Sequence, residues 1–310
     1  MVKKQGLCLI VCLTLLFVSC SSQNSGSNKV DQKEPAAEQP IPDENIAGDT
    51  HTGGCILTTP TGEVPADLYQ MSDIIQTMEY LPFTKHLTVC GITLIGRDDI
   101  SDEFMKKVAI TIKSLFARDG DIDIKLQEEL LTNMYKYRTT IPFFKGHNYE
   151  FSPEDEKLMD VTRSKNSICD IIMEGVPTQT NEVMEHILHH ITDVGLHYTF
   201  PDEWGISTTS VAHKVTQEAI DKGYYDVGQY GDVQGEELNR VLIQEYAYWI
   251  IFDYWELRSV FFPGDAEFNI KTGADLKAKL PQSYDLVMQT VPKVMVPPDN
   301  EQLIKLFGKE

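Results

Sequence analysis

Between Asn181 and His197 apolar residues recur at helical spacing. At about 100° per residue, Val183, Met184, Ile187, Leu188, Ile191 and Val194 share one side of a helical wheel. Glu182, Glu185, His186, His189, His190 and Asp193 share the other. The pattern predicts an amphipathic helix that Asn181 caps at its start and Gly195 ends. A second long segment, Glu236 to about Val260, is apolar nearly all round in its middle, which predicts a helix buried in the core. Glu245 stands inside that apolar run. A lone buried carboxylate costs several kcal/mol unless it is paired, protonated or bound to a metal, so a cationic partner is expected beside it.

The remaining elements follow the same logic. Leu87 to Gly96 is β-rich and bounded by turn formers, which predicts one strand. Ser101 opens a helix to about Ala117 that buries Phe104, Val108, Ile112 and Leu115/Phe116, and a second helix runs over about Leu126 to Tyr135. Residues 138 to 165 are charged and carry Pro142 and Pro153, which predicts loop. Ile168 to Met173 reads as a short strand, Tyr198 to Gly205 as an aromatic turn, and Ser207 as the cap of a helix to about Lys222. The tail, with Pro281, Pro292, Pro297 and Pro298, reads as extended or loop before a short final helix. Taken together these elements predict a single, mostly helical α+β domain over 53–310, with two central helices facing one another and a small β portion.

The N-terminus changes where that domain is expected to work. Lys3 and Lys4 precede an apolar run, Leu7 to Val18, too short for a mature membrane span. Phe17-Val18-Ser19-Cys20 resembles a bacterial lipobox, which implies a signal peptide over 1–19 and acylation at Cys20. Ser21, by resemblance to Gram-negative sorting, implies the outer membrane of the cell envelope. Residues 20–52 are polar, acidic and nearly free of large apolar side chains, so they read as a tether from a lipid anchor.

Charge narrows the partners. The formal net charge is −20, which disfavours nucleic acid and adsorption to anionic lipid, and suits a metal ion or a cationic partner. Of the six cysteines, Cys55, Cys90 and Cys169 lie beyond the leader. One disulfide with one buried thiol is the expected arrangement, Cys55–Cys90 being the nearer pair, though spacing alone does not give connectivity. No Cys-x-x-Cys array, Gly-rich phosphate loop or Gly-x-Ser-x-Gly elbow is present. Asp119, Asp121 and Asp123 occupy positions 1, 3 and 5 of an EF-hand-like loop. Ile124 and Leu130 stand where that loop needs Gly and Glu, so only a calcium site of other geometry, in a binding module, is expected there.

The histidine helix offers chemistry of its own. Glu185-His186-Ile187-Leu188-His189 resembles the His-Glu-x-x-His frame of zincin-type zinc metallopeptidases with its first two residues exchanged. That likeness implies zinc held by Glu185 and His189, one helical turn apart, with Glu245 as the third ligand from the buried helix. His186 or His190 would assist the water, and a peptide or protein would be the substrate. A second likeness is to an uncharacterised secreted group with Glu-Glu-x-Leu-His-x-Ile-Thr followed by Glu-Tyr-x-Tyr-Trp. Here those stretches are Glu185 to Thr192 and Glu245-Tyr246-Ala247-Tyr248-Trp249. It implies that Glu185, His189 and Glu245 belong together and brings no activity. The alternative expectation is a non-enzymatic surface lipoprotein in which the same residues form a structural pairing.

Overall fold

The computed structural model describes residues 50–264 and 266–308. The expected signal peptide, Cys20 and nearly all of the expected tether lie outside the described residues. The described residues form one compact unit, and helix outweighs strand by about 51% to 11%, an α+β composition.

The elements run as follows: β1 (His51–Thr52), β2 (Ile56–Leu57), β3 (Ile75–Gln76), β4 (Lys85–Val89), β5 (Ile92–Gly96), α1 (Asp102–Leu115), α2 (Ile124–Lys136), β6 (Thr140–Lys145), α3 (Pro153–Ser164) and β7 (Ile172–Glu174). They continue with α4 (Gln179–His190), a π-helical stretch (Ile191–Leu196), α5 (His197–Thr199), α6 (Pro201–Trp204) and α7 (Val211–Asp221). After these come α8 (Gly235–Tyr254), α9 (Arg258–Phe261), α10 (Gly273–Lys279), α11 (Pro281–Val294) and α12 (Asn300–Phe307).

β3 to β7 form one sheet in chain order, antiparallel through β3, β4 and β5 and parallel through β5, β6 and β7. The parallel joins need crossovers, which α1 with α2 and then α3 supply. Alternation along the strands divides the core. Leu94, Ile141 and Phe143 pack with α1, α2, α4 and α8, whereas Ile95 and Phe144 pack with Met159 of α3 and with Phe83. The helix of the histidines thus emerges directly from the last strand and lies in the main core.

Several expected boundaries differ. The single strand over Leu87–Gly96 is two strands, because Cys90 (φ 49°) and Gly91 (φ 76°) turn left-handed in succession and make a two-residue hairpin. A Cβ at Gly91 would meet the Leu131 carbonyl at 2.3 Å, so the turn also requires glycine for close approach. The expected loop over 138–165 holds β6 and α3. Pro142 is tolerated because Thr140 sends its N–H towards Ser167, which fixes the same side for residue 142, and β7 begins only opposite Phe143. No partner on that side needs the missing N–H. Pro153 is the first residue of α3, behind a Ser152–Asp155 capping box.

The helix of the histidines begins earlier, with Thr178 at its cap and Asn181 inside it. Gly195 does not end it. The chain widens into the π-helical stretch, where an added Cβ at Gly195 would lie 3.1 Å from Met134 of α2. Ser210, not Ser207, caps α7, and Tyr198–Gly205 holds most of α5 and all of α6 rather than a turn. The expected extended tail contains α11, which starts on Pro281 and accommodates Pro292 in its last turn. The buried second helix ends at Tyr254, short of Val260.

Candidate metal centre

The apolar side chains expected to face the core from α4 and the π-helical stretch are all buried. The opposite face is not solvated either. His189, His190 and Asp193 are fully buried, and Glu182, Glu185 and His186 are half-buried. A polar face placed inside a protein must find partners, and α8 with the segment before β7 supplies them.

His189 is fixed from two sides. Its Nδ1 lies 2.8 Å from Oδ2 of Asp170. The charges of His186 and His189 hold the Asp170 carboxyl well below the usual carboxylate range, although burial opposes this. An ionised carboxylate only accepts, so Nδ1 of His189 carries the proton and donates. Gln244 closes the corner. Its Oε1 accepts from Arg240, which turns Nε2 towards Asp170 Oδ2 (3.4 Å) and Glu245 Oε1 (3.5 Å).

That leaves Nε2 of His189 facing two carboxylates. Glu245 Oε2 is 3.4 Å away, Glu185 also converges on the spot, and ligand atoms of the three residues lie within 4.8 Å of one another. Nε2 is buried without a hydrogen-bond partner. A lone pair cannot rest against two carboxylates unless a cation stands between them, either a proton or a metal. Burial opposes the protonated ring, but Glu245 and Asp170 raise the His189 pKa well above its ordinary value. Burial, reinforced by Glu245, pushes Glu185 up to about 8, against the opposing effect of His186.

The donors fit zinc. Bonds of about 2.0–2.1 Å at tetrahedral angles separate neighbouring ligand atoms by about 3.3 Å, close to the His189–Glu245 spacing. A carboxylate on the far nitrogen of a ligating histidine is the usual support for such an ion. Glu185 is also oriented: Asn181 Nδ2 donates to its Oε2 at 3.1 Å, and Tyr248 OH donates to Asn181 Oδ1 at 2.5 Å.

The two histidines expected to assist a water make contacts of their own. His186 donates Nδ1–H to the Glu182 carbonyl at 2.6 Å and sets Nε2 3.5 Å from Asp170 Oδ1. Burial pulls its pKa down, but Asp170, Glu182 and Glu185 outweigh this and push it up to about 9. It braces Asp170. His190 donates Nδ1–H to the His186 carbonyl at 2.8 Å, and burial holds its pKa down to about 4. In both rings Nδ1 is thereby committed to the carbonyl one helical turn earlier.

Among the described residues three clusters of ligand atoms converge: Glu185, His189 and Glu245; Asp170, His186 and His189; and Cys55, Cys169 and Asp193. Asp119, Asp121 and Asp123 are not among them. The first two are exposed, and Asp123 spends its carboxylate as the cap of α2, accepting from Leu126 N at 3.1 Å. The disulfide joins Cys55 to Cys169, and Cys90 is the free, buried thiol. The nearer pair in sequence is excluded because Cys90 sits in the β4–β5 turn against α2.

Asp170, Gln244, Asn181 and Tyr248 were not legible as site residues. Tyr248 alone carried a signal, one helical turn from Glu245 in the Glu-Tyr-x-Tyr-Trp stretch. No protein-family model, no curated protein and no solved structure matches the chain.

Proposed function

We propose that this chain is a zinc-dependent hydrolase of zincin-like, metallopeptidase-like architecture, carried on the cell envelope by a lipid on Cys20. Glu185, His189 and Glu245 hold the ion, and α4 and α8 are the two facing helices that bring them together. The observation that carries the reading is Nε2 of His189, buried, without a hydrogen bond and aimed at two carboxylates while Asp170 occupies Nδ1. Zinc bound there supplies Lewis-acid polarisation and a water of lowered pKa. Asp170 sets the tautomer of His189, Asn181 orients Glu185, and Gln244 ties Asp170 to α8. A peptide bond is the substrate that the likeness to metallopeptidases suggests.

One observation favours a second reading, a zinc site without turnover. The frame's general-base position is filled by His186, whose two nitrogens are committed to the Glu182 carbonyl and Asp170. Elemental analysis of the purified full-length protein beside Glu185→Ala/His189→Ala tests the metal. One zinc per chain in the parent and none in the variant supports the site and justifies a peptidase screen. No transition metal in either, with folding intact, sinks the hydrolase. Zinc without peptidase activity leaves the second reading.

A further inference from the structure

Asp193 holds a second, unrelated clue. The residue is 1% exposed. Its Oδ2 accepts from Arg240 Nη1 at 2.9 Å, and its Oδ1 has no hydrogen-bond partner. A buried acceptor left this way needs an explanation. Two sulfurs lie beside the carboxylate: one of its oxygens and Sγ of Cys55 and Cys169 lie within 4.8 Å of one another. Joined as a cystine, those sulfurs are uncharged and poor ligands. Parted, they are two thiolates beside a carboxylate.

We propose that reduction of the Cys55–Cys169 disulfide creates a divalent-metal site from Cys55, Cys169 and Asp193, with zinc as its ion. Two soft sulfurs with one carboxylate select zinc over magnesium or calcium. The two thiolates and the carboxylate balance the charge of the ion together with that of Arg240, so the occupied cluster is neutral inside the protein. The segments stay in place when the bond opens. Arg240 Nε donates to the Gly53 carbonyl at 2.7 Å, and Leu57 N donates to Ser167 Oγ at 2.9 Å, one contact on either side of Cys55.

A dithiol reductant supplies the electrons. Its thiolate attacks Sγ of Cys169, which is half-buried where Cys55 is buried, and Cys55 leaves as a thiolate. The reductant's second thiol then displaces Cys169 and closes a cyclic disulfide. Two electrons and two protons pass from the dithiol to the cystine. Zinc binding afterwards displaces the two thiol protons. None of Glu185, His189 and Glu245 takes part, so this site stands or falls apart from the zinc centre above.

Cobalt(II) titration of the full-length protein tests the assignment, because sulfur ligation gives a thiolate-to-cobalt charge-transfer band that a Glu/His site cannot. The protein is compared as isolated and after reduction by a phosphine and its removal under argon. The band is expected only after reduction. Cys55→Ser should abolish it. Asp193→Asn should keep it but weaken cobalt affinity by about tenfold or more, the scale of losing a group that supports a metal centre. A reduced parent with titratable thiols and no band overturns the proposal, as does a band that survives Cys55→Ser or an affinity untouched by Asp193→Asn. Should Asp193→Asn not fold, the reduced-against-oxidised comparison and Cys55→Ser still decide.

Discussion

Asp170 accepts the Nδ1 proton of His189 at 2.8 Å and thereby leaves Nε2 as the nitrogen that faces Glu245 at 3.4 Å. The residue that decides the chemistry of the site is therefore not one of the three that would touch the ion. Asp170→Asn keeps the shape but presents an amide whose nitrogen cannot accept, so the ring loses its reason to hold one tautomer. The full-length variant should fold and bind zinc about 10–100-fold more weakly than the parent by competition with a chelating indicator. Equal affinities would mean that the pair is a packing contact only.

His190 is a core histidine, and acid should reveal it. Burial lowers its pKa to about 4 in the folded protein, below the ordinary value near 6.5. Between these values the unfolded chain binds the extra proton and the folded chain does not. Its contribution to stability is complete above about pH 6.5 and is lost as pH falls towards 4. His190→Gln removes that linkage. Urea denaturation of parent and variant from pH 7 to pH 4 should show the parent losing up to about 3 kcal/mol relative to the variant. Parallel curves would show that His190 takes up its proton as readily folded as unfolded.

The same residues mark how far the sequence could be read. Glu185, His189 and Glu245 could be grouped in advance because two lie one helical turn apart and the third is a carboxylate stranded in an apolar helix. Asp170 could not. It sits in a segment with no periodic signal, 19 residues before His189, and only the return of the chain from β7 into α4 brings them together. The polar side of α4 was recognisable, but its burial was not, since periodicity separates two faces without saying what covers each. Proline misled in the other direction. Pro142, Pro153 and Pro281 stand at positions where no N–H is needed, a fact that depends on the neighbours and not on the proline.

The Cys55–Cys169 bond spans a sequence separation of 114 residues and ties the β1–β2 hairpin to the segment that carries Asp170. A loop of that length loses much of its freedom in the unfolded chain when closed. Cys55→Ser/Cys169→Ser should be about 2–5 kcal/mol less stable than the oxidised parent in guanidinium denaturation, and no less stable than the reduced parent. A double variant as stable as the oxidised parent would place the hairpin's stability in its hydrogen bonds to Glu236 and Arg240 instead of the bridge.

Tyr248 is fully buried on α8, and its hydroxyl donates to Oδ1 of Asn181, which orients the Asn181 amide towards Glu185. Two effects of Tyr248→Phe follow from that relay and can be separated. The lost buried hydrogen bond should cost about 1–2 kcal/mol of stability. With the tyrosine hydroxyl gone, one of the contacts that set the Asn181 amide is lost and Glu185 is held less firmly, so zinc affinity should also fall, by up to about tenfold, the low end of the loss expected for an outer-shell group. Stability can be read from urea midpoints and affinity from chelator competition on the same protein. A loss of stability with unchanged zinc affinity would show that Glu185 is held by the fold at large, and that the tyrosine serves the packing between α4 and α8 alone.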